Sequence, residues 1–296
     1  MRIAVWLDWP ISAFRLNGAS LECLKLLAGA SAKITVCRSE RGFLRALPDA
    51  THALVWEFKK EWFSKARDLR VLATPSAGRE LIPADVPSAV KKWHGRFHGP
   101  IMAESVAAYM LALSRGIFAT HHFHSLGILW PRSEISPFCS LVAGTKAVIL
   151  GYGAIGHAIG AKLEALGVSF TGITRKNFGD LEKYLPSADW LVLVLPGDTG
   201  TDGIVNAGVL SLLPRRACVI NVGRGNAVNE KDLVEALRKG RIRAAVLDVV
   251  QNEPMTASSP LAADVPGLFV MPHAAAFAPE YLEMFFRELK ENGLLR

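Results

Sequence analysis

The stretch AVILGYGAIGHAIGAKLEALGVSFTGITRK, residues 147–176, decides the fold. Its first four residues are apolar and mostly branched, which suits a buried strand. They run directly into Gly151-Tyr152-Gly153-Ala154-Ile155-Gly156. From Gly156 to Leu166 small and apolar residues recur as on a helix packed against a sheet, and SFTGI at 169–173 resumes the strand pattern. A strand that ends on Gly-x-Gly-x-x-Gly and opens a helix lets backbone approach a pyrophosphate. The free N–H groups and dipole at the helix N-terminus then favour the anion. The stretch predicts a βαβ unit that binds a dinucleotide through Gly151–Gly156.

The residues after the second strand choose the dinucleotide. An Asp or Glu there would hydrogen-bond the ribose 2′-hydroxyl of NAD and repel a 2′-phosphate. This chain carries Thr174-Arg175-Lys176 instead. A hydroxyl and two cations suit a phosphate through charge-assisted hydrogen bonds, so NADP(H) is expected in preference to NAD(H).

Outward from this unit the same rhythm continues in both directions. Strand-like runs stand at 190–195, 218–222, 244–249 and 268–271, completing a six-stranded sheet with 147–150 and 169–173. Between two of them Asn229 is placed to cap a helix and Gly240 to end it. The N-terminal part repeats the alternation more weakly at 3–7, 33–37, 52–56 and 70–74. Alternating strands and helices mean parallel α/β, and 296 residues suggest two domains. The Ala- and Leu-rich segment Ile101–Phe118 reads as one buried helix linking the two sheets, which puts the boundary near residue 99.

Composition narrows the class. Half of the residues are hydrophobic and 21% are charged, as in globular proteins. No apolar run reaches the ~18 residues of a membrane span. Asp8 and Pro10 interrupt the first apolar run, which reads as a strand rather than a signal peptide, so the cytoplasm is the expected location. Cys23, Cys37, Cys139 and Cys218 form no C-x-x-C pair, which argues for reduced packing residues. His121, His122 and His124 lack an accompanying carboxylate or cysteine and are assigned no metal. The net charge of +7 suits nucleic acid, an anionic membrane or small anionic substrates and cofactors alike, and does not choose among them. The basic run Arg238–Arg243 sits where cations suit a helix C-terminus, and no nucleic-acid motif or membrane segment accompanies it. Arg79, Arg96 and His98 could recognise an anionic group such as a phosphate, but solvated surface groups is the preferred reading.

Three further segments each follow an expected strand: INVGRG at 220–225, LDVVQNEP at 247–254 and MPHAAA at 271–276. Carboxyl ends of strands in an open α/β sheet face the ligand crevice. Arg224, Glu253 and His273 are therefore expected at one substrate, with Leu195, Pro196, Val222 and Gly223 at strand ends beside the cofactor. Together with GPIMAESVAAYML, GYGAIG and LPGDTGTDGIVN, these segments closely resemble the D-isomer-specific 2-hydroxyacid dehydrogenases, from about residue 70 to 280. The resemblance implies two parallel-sheet domains. Residues 1–98 and 275–296 would form a flavodoxin-like substrate domain, and residues 99–274 an inserted Rossmann cofactor domain, with a cleft between them.

In that family the arginine of the GRG segment binds the substrate carboxylate, the histidine of the PH segment is the acid/base, and the glutamate before the proline hydrogen-bonds to it. These roles pass to Arg224, His273 and Glu253. Asp248 resembles the aspartate near the nicotinamide carboxamide, although a strand-end aspartate also bonds readily to backbone. The substrate loop, usually Gly-x-Gly with N–H groups offered to a carboxylate, corresponds to Ser76-Ala77-Gly78, which lacks the first glycine. Ala274, Ala275, Ala276 and Ala278 stand where the family tends to carry Gly, Ser and Thr. The expected activity is reduction of a small 2-oxo acid of glyoxylate or hydroxypyruvate type to the D-2-hydroxy acid, by a homodimer. The competing readings are NAD-dependent 3-phosphoglycerate oxidation and a non-enzymatic, dinucleotide-sensing corepressor-like protein.

Overall fold

The computed structural model describes residues 1–295 and divides into two compact units. The first runs from Met1 to His98 and resumes at Phe277; the second is Gly99–Ala276. The second thus extends two residues past the 274 expected from sequence. Ala275 belongs to its core, 1% exposed among residues of that sheet, which ties the segment to the second unit.

The first unit is built from β1 (Arg2–Trp6), α1 (Gly18–Ala28), β2 (Lys33–Val36), α2 (Glu40–Ala46), β3 (His52–Val55), β4 (Val71–Thr74) and β5 (Lys91–His94). All five strands are parallel, in the order β2-β1-β3-β4-β5, the doubly wound order of flavodoxin-like sheets. Strand β5 is absent from the sequence reading because KKWH is polar and its residues are exposed or half-buried, as an edge strand permits. His98, read as a surface group, is instead 4% exposed, and its Nε2 lies 2.9 Å from the hydroxyl of buried Tyr281. The misreading has a physical source: an isolated histidine beside a glycine carries no signal of burial.

The second unit opens with α3 (Gly99–Ser114), followed by α4 (Ile117–Ser125) and α5 (Arg132–Ile135). The single helix expected over 101–118 is broken, since Gly116 takes a left-handed φ of 67° and the Ser114 carbonyl accepts from Ser140 N–H at 2.7 Å. There follow β6 (Lys146–Leu150), α6 (Ala154–Ala165), β7 (Ser169–Ile173), α7 (Leu181–Tyr184), β8 (Trp190–Leu193), α8 (Ala207–Leu212), β9 (Cys218–Asn221), α9 (Glu230–Arg238), β10 (Ala244–Leu247) and β11 (Leu268–Val270). The six strands are parallel in the order β11-β10-β9-β8-β6-β7. Chain direction across the sheet reverses at β6, so the crevice at a topological switch point falls outside the carboxyl ends of β6 and β8. Strands β8, β9 and β10 are buried along their whole length, as a sheet covered on both faces requires. Asn229 caps α9, accepting from Asp232 N–H, and Gly240 follows the helix with φ 59°.

The chain returns to the first unit through α10 (Tyr281–Glu291), which buries Tyr281, Leu282, Phe285, Phe286 and Leu289 and packs on α1. None of the described helices is long and apolar enough to cross a membrane.

Candidate active site

The glycine turn after β6 has the geometry its spacing requires. Gly151 has φ 93°, and a Cβ there would stand 2.5 Å from the Val194 carbonyl oxygen, so only glycine lets β6 and β8 approach at the switch point. A Cβ on Gly153, by contrast, would meet no atom of the protein within 4 Å, leaving open space over the first turn of α6. No side chain caps that helix, so the N–H groups of Ala154, Ile155 and Gly156 are left for an anion. Tyr152 turns its ring back over Gly172 of β7 and 4.0 Å from the His157 ring, while its backbone stays at the crevice.

A cavity of about 810 Å³ opens beside this turn, bounded by Gly151, Thr174, Arg175, Phe178, Leu195 and Pro196 among others. Its dimensions and glycine floor fit a nucleotide. Thr174 caps the turn after β7: its Oγ1 accepts from Lys176 N–H at 3.3 Å, and Asn177 Oδ1 accepts from Thr174 N–H at 2.7 Å. Arg175 lines the cavity, and its guanidinium donates to the Asp198 carboxylate at 2.6 Å. Lys176 is exposed and does not line the cavity. Asp198 went unassigned in the sequence because its approach to Arg175 depends on how the β7 and β8 loops fold over each other.

The ends of β9, β10 and β11 carry the remaining groups. Asn221, fully buried at the end of β9, accepts from Gly223 N–H at 3.1 Å and donates to the Arg224 carbonyl at 3.0 Å, which fixes the GRG turn. Val222 is buried in the core, and a Cβ on Gly223 would lie 2.6 Å from Leu195 N. A Cβ on Gly225 would collide with the Val250 carbonyl, so this glycine lets the Arg224 turn nest against the loop after β10. Arg224 Nη1 donates to the Gly223 carbonyl at 2.9 Å, and its aliphatic stem lies over Gly197.

Glu253 and His273 meet as expected from their positions. His273 Nδ1 stands 2.7 Å from Glu253 Oε2, with about half of the imidazole exposed. The other carboxylate oxygen accepts from Val250 N–H at 3.1 Å, and buried Glu230 accepts from Gln251 N–H at 2.7 Å, so the loop that carries Glu253 is held from two sides. The hydrogen bond to Glu253 outweighs burial and raises the imidazole above its ordinary value, with the negative charges of Glu253 and Asp248 adding to it and Arg224 opposing. Burial works to raise the Glu253 carboxyl, but the hydrogen bond and charge of His273, the Val250 N–H and Arg224 together hold it lower.

His273 has φ 53°, a left-handed conformation that a residue with a side chain rarely adopts. Asp248 holds it there. The Asp248 carbonyl accepts from His273 N–H at 2.8 Å, and its two carboxylate oxygens accept from Ala274 and Ala275 N–H, each at 2.9 Å. Tyr109 adds a hydroxyl at 3.3 Å, and Ser105 donates to the Ala275 carbonyl at 2.9 Å. Burial and the neighbouring Asp248 charge keep the Tyr109 phenol protonated. Asp248 is 1% exposed and engaged with backbone, as one of its two readings from sequence has it. Tyr109 escaped notice because it reads as one more residue of an apolar helix; a single hydroxyl on a buried face was the available signal.

The loop Ser76–Gly78 lies in the first unit, after β4. Thr74 Oγ1 accepts from Ser76 N–H at 3.3 Å, Ser76 Oγ accepts from Gly78 N–H at 3.1 Å, and His94 Nδ1 donates to the Gly78 carbonyl at 2.9 Å. The serine in place of glycine therefore occupies one of the N–H groups expected to face a carboxylate. Burial holds the His94 imidazole below its ordinary value, in keeping with a neutral ring that donates from Nδ1. Among the described residues, no group of three or more His, Cys, Asp or Glu side chains is placed to hold a metal ion.

Residues 107–275 match the family model of the D-isomer specific 2-hydroxyacid dehydrogenase NAD binding domain. The chain is 31% identical to a glycerate dehydrogenase of Methylorubrum extorquens, over 76% of this chain and 75% of that one. It is 32% identical to a glyoxylate/hydroxypyruvate reductase B of Escherichia fergusonii, over 73% of this chain and 71% of that one. Among solved structures, a D-isomer specific 2-hydroxyacid dehydrogenase family protein of Aeromonas salmonicida superposes with a TM-score of 0.80 at 27% identity, covering 99% of this chain and 95% of the other. With the dinucleotide turn after β6 and the two parallel sheets, these likenesses establish that the chain belongs to the D-isomer specific 2-hydroxyacid dehydrogenases and is an NAD(P)-dependent oxidoreductase.

Proposed function

We propose that the enzyme reduces a small 2-oxo acid of glyoxylate or hydroxypyruvate type to the D-2-hydroxy acid, with NADPH as the preferred cofactor. The observation that carries this reading is the 2.7 Å pair of Glu253 and His273, carried on the segments that follow β10 and β11 as Arg224 is on the segment that follows β9. The names of the two relatives support the substrate class, since glycerate is the 2-hydroxy acid of hydroxypyruvate.

When bound, the dinucleotide supplies the hydride that reaches the carbonyl carbon. Arg224 holds the substrate carboxylate through its planar fork and stabilises charge developing on the carbonyl oxygen. With Nδ1 of His273 tied to Glu253, Nε2 is the nitrogen that delivers the proton to that oxygen. Glu253 keeps the imidazole charged until transfer. The open first turn of α6 receives the pyrophosphate, and Thr174 and Arg175 face the ribose end of the cavity. The NADPH preference rests on Arg175 standing where NAD-specific enzymes place a carboxylate. Cofactor consumption with glyoxylate, hydroxypyruvate and larger 2-oxo acids tests the reading. Turnover of the small acids, faster with NADPH than with NADH, is expected, and no turnover of any 2-oxo acid overturns it.

We further propose a homodimer. Ile117, Leu126, Leu129, Trp130 and Leu141 lie exposed near one another in the chain, with Leu129 and Trp130 each 83% exposed. An apolar stretch left so open on a water-soluble fold marks a protein contact.

A further inference from the structure

Asp198 follows β8 by a few residues and stands in the cavity that takes the dinucleotide, opposite the residue read as its selector. Its position is built rather than incidental. The Asp198 carbonyl accepts from Thr201 N–H at 2.9 Å, from Thr201 Oγ1 at 2.7 Å and from Asn226 Nδ2 at 3.3 Å. Its Oδ1 accepts from Gly200 N–H at 3.0 Å, which fixes the side chain and leaves Oδ2 pointing at Arg175 Nη2, 2.6 Å away. Arg175 is 85% exposed and Asp198 41%, so water and salt screen the pair and a stronger anion can replace the carboxylate.

We propose that Asp198 sets the cofactor ratio. The loop after β8 thereby supplies the carboxylate that the end of β7 lacks. With a 2′-hydroxyl in the cavity, Asp198 keeps Arg175 and accepts a hydrogen bond from the hydroxyl, favouring NAD(H). With a 2′-phosphate, Arg175 turns to the phosphate while Asp198 repels it, so part of the attraction of Arg175 for NADP(H) is cancelled. The chain is then an NADP(H) enzyme with a built-in brake on its own selectivity. This inference rests on the assignment of the cavity to the dinucleotide made above.

The test is binding of NADPH and NADH, each titrated against the whole enzyme without substrate. Asp198→Asn keeps the Oδ1 acceptor for Gly200 N–H and removes the charge. The ratio Kd(NADH)/Kd(NADPH) is expected to rise by about two- to fivefold, the scale of an exposed ion pair, through both tighter NADPH and weaker NADH binding. Asp198→Glu, which keeps the charge, should stay near the wild-type ratio. An unchanged or lower ratio in the Asn variant overturns the proposal. So does an Asp198→Glu variant that moves the ratio as far as the Asn variant, because loop structure rather than charge would then be responsible. The two readings fail separately: wild-type enzyme that binds NADH more tightly contradicts the NADPH preference, and the response to Asp198→Asn still decides the role of Asp198.

Discussion

At the scale of single residues, the acid role proposed for His273 makes its pairing with Glu253 the control on how the reaction responds to pH. Reduction consumes the proton on the imidazole, so activity falls as pH rises through the His273 value. Glu253 raises that value in the folded protein, which carries the active, protonated form to higher pH. Replacing Glu253 with Gln removes the charge while keeping a hydrogen-bonding group. The descending limb of kcat against pH for 2-oxo acid reduction should therefore move to lower pH, and oxidation of the 2-hydroxy acid, which needs the neutral ring, should begin to rise at lower pH too. A profile that does not move would mean that the 2.7 Å contact does not control the proton. The residues of this pair were legible from sequence because each follows a strand and adjoins a proline, Pro254 after Glu253 and Pro272 before His273, in segments that resemble those of the family. What could not be read was the device beneath them: the left-handed turn at His273 depends on the Asp248 carboxylate reaching two backbone N–H groups 26 and 27 residues further along the chain.

At the scale of elements, the sequence exposes strands that carry apolar or branched runs, including the partly exposed β2, β7 and β11, and conceals β5, which is polar. WLVLVL at 190–195 and CVINV at 218–222 are continuous apolar runs because β8 and β9 lie inside a covered sheet. KKWH of β5 is an edge strand whose side chains pack only partly, and nothing in its composition separates it from a loop. Helices show the same limit in another form. The period of Ile101–Phe118 runs on through Arg115 and Gly116, yet the chain breaks there because Gly116 adopts positive φ and the freed carbonyl of Ser114 finds Ser140. Turns were legible where glycine spacing is dictated by close approach, as at Gly151 against Val194. They were not legible where a side chain substitutes for backbone, as at Ser76, whose hydroxyl takes the Gly78 N–H.

At the scale of the whole molecule, the chain divides between two units, each built on one parallel sheet, of five and six strands, and the exposed apolar residues between 117 and 141 suit the homodimer proposed above. Leu126 is 62% exposed and Leu141 74%, beside the still more open Leu129 and Trp130. Sedimentation at micromolar concentration should give about twice the 32.1 kDa chain mass, and replacing Leu129 and Trp130 together with charged residues should return the mass to that of one chain. A wild-type monomer would leave these side chains without a partner and count against the homodimer.

In the proposed reaction one imidazole, charged by Glu253, protonates a 2-oxo acid as hydride reaches its carbon. The most direct measurement is the turnover number of a His273→Ala variant on the best wild-type substrate, taken alongside its dissociation constant for the dinucleotide. General acid catalysis is worth roughly 10² to 10⁴ in rate, so kcat should fall by about 10²-fold or more while dinucleotide binding stays near normal. A variant that reduces 2-oxo acids at the wild-type rate would mean that His273 is not the acid.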